Sequence, residues 1–191
     1  MQNSKEYLKE NEIQDIIIYN KNLVNGKLTK QYPDIKGDFD CSDIHLISLE
    51  FVPQYVGGNF YCYKTDITSL EFVPQSVGGY FYCSSTNITS LEFAPKFVGG
   101  FFNCSSTNIT SLKGIGKNYL KEVKGYINLN FCSELKSNML GLMLVKGLQE
   151  IEFSTNKQIE EIFNNHLEGE IDILDCQEEL ITKGYKEYAK L

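Results

Sequence analysis

A chain of 191 residues, 42% hydrophobic and 23% charged, is long enough for one globular core or one capped repeat array. Its net charge is −7 and all 18 basic residues are lysine, which argues against nucleic acid and anionic lipid as partners, because phosphate is held by cationic side chains and base edges by bidentate arginine. No apolar run approaches the roughly 18–20 residues of a membrane span. Met1 to Glu6 also lack the charged start and apolar stretch of a secretory signal, so the expected compartment is the cytoplasm, with all six cysteines reduced.

Residues 1–36 read as an N-terminal β cap. A short helix is expected over residues 4–12. Asp15-Ile16-Ile17-Ile18-Tyr19 is β-branched and predicts a strand, and Asn25-Gly26 predicts a tight turn into Lys27-Leu28-Thr29. Ile18 lies one period before Phe39, and Ile35 one period before Val56. The segment is therefore expected to be a degenerate first coil with a polar outer face.

Residues 37–120 hold four copies of a 21-residue unit. Phe39, Phe60, Phe81 and Phe102 form one column, with Cys41, Cys62, Cys83 and Cys104 two residues on. Ile44, Thr65, Thr86 and Thr107 follow, then Leu46, Ile67, Ile88 and Ile109, then Leu49, Leu70, Leu91 and Leu112. Pro53, Pro74 and Pro95 close each unit before Val56, Val77 and Val98, and the last copy degenerates at Gly114-Ile115-Gly116. A fixed period of this length marks a solenoid, in which each coil buries its apolar side only against its neighbours. Phe-x-Cys alternates with the two-residue period of a strand and places both side chains inward. Each Gly-Gly pair (Gly57-Gly58, Gly78-Gly79, Gly99-Gly100) is expected to give the backbone freedom for the turn into the next strand.

Residues 121–191 predict a mixed β and helical C-terminal cap. Leu142–Val145 and Gln149–Phe153 read as final strands. Gln158–Leu167 reads as a helix with Ile159, Ile162, Phe163, His166 and Leu167 on one face, and Gln177–Leu191 as a second helix broken at Gly184.

The repeat resembles the leucine-rich-repeat core, in which L-x-L is followed by x-x-N-x-L. Phe81, Cys83, Thr86 and Ile88 occupy those slots and Leu91 the next apolar one, with Cys in place of the second Leu and Thr in place of Asn. The Asn of that pattern bonds the backbone of the turn, which a single Thr hydroxyl does only in part. Val77-Gly78-Gly79-Tyr80-Phe81-Tyr82-Cys83, Ile88-Thr89-Ser90-Leu91-Glu92, Asp175-Cys176-Gln177-Glu178-Glu179-Leu180 and Glu187-Tyr188-Ala189-Lys190-Leu191 resemble leucine-rich-repeat-like proteins encoded by tailed bacteriophages. The likeness spans most of residues 37–191. It implies an α/β solenoid with a parallel sheet and a place in host cytoplasm, and no particular activity.

Chemistry is sparse in these residues. One cysteine per coil spreads the thiols along a line, whereas zinc needs four ligands converging on one point, so the cysteines are expected to be a core ladder and no metal or other cofactor is expected. The Gly-Gly pairs lack the Lys-Ser/Thr and following helix of a phosphate loop. Asn87-Ile88-Thr89 and Asn108-Ile109-Thr110 match a glycosylation pattern that has no use without secretion. His45 and His166 have no evident catalytic companions, and the acids Glu168, Glu170, Asp172, Asp175, Glu178 and Glu179 read as a solvated face. No enzyme activity is expected.

The outward strand residues are more informative. If Phe and Cys point inward, the outward columns are Asp38, Asn59, Tyr80, Phe101; Asp40, Tyr61, Tyr82, Asn103; and Ser42, Tyr63, Ser84, Ser105. Tyr61, Tyr63, Tyr80, Tyr82 and Phe101 are then exposed neighbours, with Asp38 and Asp40 at one end, and such patches mark contact surfaces. Four strands span about 14 Å, small against the ~800 Å² each partner contributes to a standard interface, so this face alone suits a peptide, a loop or a sugar. The expected function is non-enzymatic binding of a protein partner through these aromatics together with Asp38, Asp40, Asn59 and Asn103. The alternatives are glycan or small-ligand binding by the same rings, and a structural role through self-association.

Overall fold

The computed structural model describes residues 15–132, 135–154, 156–169 and 171–191; the helix expected over residues 4–12 lies outside them. Among these residues the chain runs through β1 (Ile16–Ile17), β2 (Leu23–Val24), β3 (Lys27–Leu28), β4 (Phe39–Asp40), β5 (Tyr55–Val56), β6 (Phe60–Tyr61) and β7 (Ser76–Val77). It continues through β8 (Phe81–Tyr82), β9 (Phe97–Val98), β10 (Phe102–Asn103), β11 (Glu122–Val123), β12 (Tyr126–Asn128) and β13 (Glu150–Glu152), then helices α1 (Lys157–Leu167) and α2 (Ile173–Thr182).

Phenylalanine at every twenty-first position sets the register. Phe39 pairs with Phe60, Phe60 with Phe81 and Phe81 with Phe102, all parallel. The result is a seven-stranded parallel sheet in the order β1-β4-β6-β8-β10-β12-β13, with a second parallel sheet of β5, β7, β9 and β11. The molecule is an α/β solenoid capped by the β2–β3 hairpin at one end and by the helices at the other. The four Phe rings stack down its axis with centroids 5.7, 5.4 and 5.1 Å apart, and the Phe, Cys, Leu and Val columns are buried as their periodicity predicts.

Thr65, Thr86 and Thr107 are buried too. Each hydroxyl donates to the carbonyl of the cysteine three residues earlier, at 2.7, 2.7 and 2.8 Å, closing the turn after the strand. That bond offsets the cost of burying a hydroxyl among apolar side chains.

The structure departs from the sequence reading in several places. Ile16, not Ile18, meets Phe39, a step of 23 residues, and Ile18 falls in the cysteine column. Leu142–Val145 is not a strand: Met139–Leu144 forms a 3-10 helix with Met139 to Met143 buried, which suits an apolar run that is enclosed on all sides. The second helix starts earlier than expected, at Ile173, because Asp172 caps it by accepting from the Leu174 and Asp175 N–H groups. It ends at Thr182, and Gly184 at φ +90° turns the chain back so that Tyr188 packs on Phe153. Finally, no glycine of the three Gly-Gly pairs has a positive φ. They are needed for space: a Cβ on Gly57, Gly78 or Gly99 would lie 2.5, 2.1 or 1.9 Å from a carbonyl oxygen of the previous coil.

Two carboxyls in the helical cap are held below the usual carboxylate range. Burial alone would raise Glu160, but the Lys157 ammonium and the Phe153 N–H, both hydrogen-bonded to it, outweigh that. Lys183 and His166 do the same for Glu179. Since the unfolded carboxyl titrates near about 4.3, the stabilisation is complete above that pH and is lost as pH falls through the lower folded values. The helical circular dichroism is expected to hold at pH 6 and decline as pH drops below about 4. An acid transition left unchanged by Glu160→Gln/Glu179→Gln would show that other groups set it.

Candidate functional site

Strand register places the outward side chains of the seven-stranded sheet in straight columns. One runs Asp38, Asn59, Tyr80, Phe101, Tyr126, Glu150 and the next Asp40, Tyr61, Tyr82, Asn103, Asn128, Glu152. The face from β4 to β13 is thus about 24 Å long at the usual strand spacing, longer than four repeats alone provide.

Its middle is an interlocked aromatic cluster. Tyr61 stacks on Tyr82 at 5.3 Å, and Tyr63 meets Tyr61 edge-on at 6.4 Å. Tyr80 meets Tyr82 edge-on at 6.1 Å and Phe101 at 6.3 Å, while Phe101 contacts Tyr82 at 5.4 Å. Phe101 is not exposed as expected: only 8% of it is accessible, because Tyr126 of β12 lies over it with centroids 3.8 Å apart. It is the floor of the cluster. Tyr80 is the most open ring, at 47%. The hydroxyls of Tyr63, Tyr80, Tyr82 and Tyr126 make no hydrogen bond to a described residue, and no buried side-chain polar atom among the described residues lacks a partner, so these hydroxyls open to solvent.

The polar candidates are engaged with the backbone. Asp15 Oδ1 accepts from the Asp38 N–H, Asp38 Oδ1 from the Asn59 N–H, and Asn59 Oδ1 from the Tyr80 N–H, at 2.8, 2.7 and 2.7 Å. This ladder steps from coil to coil and holds Tyr80 in place. Asp40 accepts from the Ser42 N–H and hydroxyl, and Asn103 from the Ser105 N–H, closing turns at the strand ends. Asp38 and Asn59 therefore hold the backbone under Tyr80, while Asp40 and Asn103 hold the turns at the ends of their own strands.

Tyr126, Glu150 and Glu152 were missed. The step from Phe102 to Ile127 is 25 residues, and an alignment fixed at 21 overlooks it. The signal was present, because Gly125-Tyr126-Ile127-Asn128 repeats the pattern of Gly100-Phe101-Phe102-Asn103. With these residues the cluster has carboxylates at both ends, Asp38 and Asp40 at one and Glu150 and Glu152 at the other.

Burial, with neighbouring groups second, pushes three of the phenols up. Burial and then Asp38 raise Tyr61, burial and then Tyr126 raise Tyr82, and burial and then Glu152 raise Tyr126. Burial and then Glu150 also push up Glu152, whose Oε2 accepts from the Asn128 and Asn130 amides.

Elsewhere, all six thiols are free and buried. Burial pushes Cys41, Cys83 and Cys104 well up and Cys176 up to about 12, which suits core side chains rather than nucleophiles. Among the described residues no three His, Cys, Asp or Glu side chains are grouped to hold a metal ion, and no helix is long and apolar enough to cross a membrane. His45 sits exposed 3.1 Å from Asp66, and His166 lies 2.8 Å from Glu179. Compared with known proteins, the chain matches no protein-family model, no curated protein and no solved structure.

Proposed function

We propose that this chain is a non-enzymatic protein-binding module that recognises its partner through the outward face of the seven-stranded sheet. The observation that carries this is the cluster of Tyr61, Tyr63, Tyr80, Tyr82 and Tyr126 set on a parallel sheet, with the hydroxyls of Tyr63, Tyr80, Tyr82 and Tyr126 open to solvent. Tyrosine supplies large apolar area and a hydrogen-bonding tip with only two side-chain torsions to freeze, which is why it concentrates at binding hot spots. Protonated phenols donate to carbonyl oxygens of a bound segment, and the carboxylates at both ends favour one with cationic flanks. Part of the surface is already ordered by the Asp38–Asn59–Tyr80 ladder, so little entropy is lost there on binding.

The likeness to leucine-rich-repeat-like phage proteins points to a cytoplasmic role against a host factor, such as a defence component. The test is a tagged capture from host lysate, run with the wild type beside a folded Tyr61→Ala/Tyr82→Ala variant. The expected result is a protein held by the wild type and lost from the variant, with affinity reduced about 100-fold or more for two hot-spot residues. Identical captures overturn the proposal. A glycan-array hit lost in the same variant would assign the face to sugars instead.

A further inference from the structure

A second surface lies at a different corner of three successive coils. After Leu49, Leu70 and Leu91 the chain turns through Phe51, Phe72 and Phe93, whose φ angles are +76°, +72° and +69°. The carbonyls of Leu49, Leu70 and Leu91 accept from the N–H groups of Val52, Val73 and Ala94 at 3.2, 3.2 and 3.1 Å. Gly or Asn is the usual residue at the positive-φ position of such a turn, and a bulky aromatic is strained there. The fourth coil shows what the fold accepts: Gly114 holds the place at φ +87°, with Leu112 bonded to Ile115 at 3.1 Å. The three rings are not kept for the core, since Phe51, Phe72 and Phe93 are 36%, 47% and 41% exposed.

Beside each ring stands a carboxylate. Glu50, Glu71 and Glu92 repeat from coil to coil at about the strand spacing, and none forms an ion pair with a described residue. Tyr119 shows that ring and acid share one side of the corner: its ring is 5.8 Å from Phe93, and its hydroxyl donates to Glu92 Oε1 at 3.4 Å. Where Gly114 replaces a phenylalanine and Lys113 a glutamate, the ridge ends in a polar recess of about 300 Å³ lined by Ser90, Glu92, Ser111, Lys113, Gly114, Asn118 and Tyr119.

We propose that this ridge is a second docking surface, distinct from the tyrosine face, and that it takes a short extended peptide segment carrying lysine or arginine between apolar side chains. The cations pair with the Glu50–Glu71–Glu92 column and lie against the phenyl rings, and the apolar side chains between them pack on the same rings. The ridge from Phe51 to Tyr119 runs about 15 Å, the length of four or five extended residues. Charge disfavours a second copy of this chain as the occupant, because pairing two such ridges sets one acidic column against another on proteins of net charge −7.

The test uses fluorescein-labelled Lys-Phe-Lys-Leu-Lys and its Glu-for-Lys counterpart, with anisotropy titrations against the full chain. The informative variant is Phe51→Gly/Phe72→Gly/Phe93→Gly, since glycine suits the positive φ and keeps the turns. The wild type is expected to bind only the basic peptide, with affinity falling as salt rises. The triple-glycine variant and Glu71→Gln/Glu92→Gln should each bind at least 10-fold more weakly, and Tyr61→Ala/Tyr82→Ala as well as wild type. Equal binding by the triple-glycine variant would reduce the contact to unspecific charge attraction and overturn the proposal, as would no binding to wild type. Loss of the peptide in the tyrosine variant would move it to the sheet face. A wild-type dimer in light scattering that the triple-glycine variant abolishes would give the ridge to a second copy, and either of these results also overturns it.

Discussion

A Gly78→Ala variant is expected to lose about 4 kcal/mol of stability, placing it among the most damaging single substitutions. The added methyl would sit 2.1 Å from the Gly57 carbonyl oxygen and 2.9 Å from its carbon. No flexible side chain is there to yield, because the obstacle is the backbone of the neighbouring coil. That backbone is fixed in turn: the Gly78 N–H donates to Val56 O at 2.8 Å, Gly79 to Gly58 O at 2.8 Å, and Gly57 to Ile35 O at 2.9 Å. Relieving the clash means parting the coils and breaking this ladder on both sides of residue 78. The column ends at Lys124, where the matching bond to Val98 O is 3.1 Å and a side chain is tolerated. Gly184→Ala is the control. Nothing lies within 4 Å of its Cβ position, so only the φ of +90° resists the change, at about 1 kcal/mol. In thermal melts followed by circular dichroism, Gly78→Ala should fall by roughly 10 °C and Gly184→Ala by a few degrees. A Gly78→Ala melt within a degree or two of wild type would show that the coils are not held this closely.

The same glycines show where sequence reading reaches and where it stops. Their period was plain, but period does not say whether glycine is kept for torsional freedom or for lack of bulk, which only the distance between coils decides. Inward columns were legible because one apolar residue per coil has no other explanation, and Asn25-Gly26 was legible because both residues suit the positive φ values, +51° and +73°, of a hairpin turn. Lengthened steps defeated the alignment: 23 residues before Phe39 and 25 after Phe102 displaced Ile16 and hid Tyr126. Without Tyr126 in its column, nothing in the sequence covers Phe101, which the pattern therefore leaves at the surface. Phe51, Phe72 and Phe93 stood in a visible column, yet their conformation runs against aromatic preference, and residue type gave no hint of it.

Phe81→Ala is expected to cost about 3–5 kcal/mol, the range for removing a fully buried ring. The Phe81 ring is inaccessible to solvent and lies nearly parallel to both neighbours, at 12° and 5.4 Å from Phe60 and at 3° and 5.1 Å from Phe102. It is more than a filler. Each coil of a solenoid touches only the next, so cooperative unfolding depends on the contacts between neighbours. Removing the central ring weakens two such contacts at once and leaves a gap that the paired strands of β6, β8 and β10 prevent from closing. The effect should therefore appear in the shape of the transition as well as in its midpoint. In urea, followed by far-ultraviolet circular dichroism, the variant should unfold at lower denaturant and with a shallower slope, as the coils before β8 and those after it cease to melt together. Phe81→Leu, which keeps most of the volume, should restore the slope and most of the stability. If Phe81→Ala instead shifted the midpoint while keeping the wild-type slope, the coupling between coils would have to reside in the backbone ladders and not in the phenyl stack.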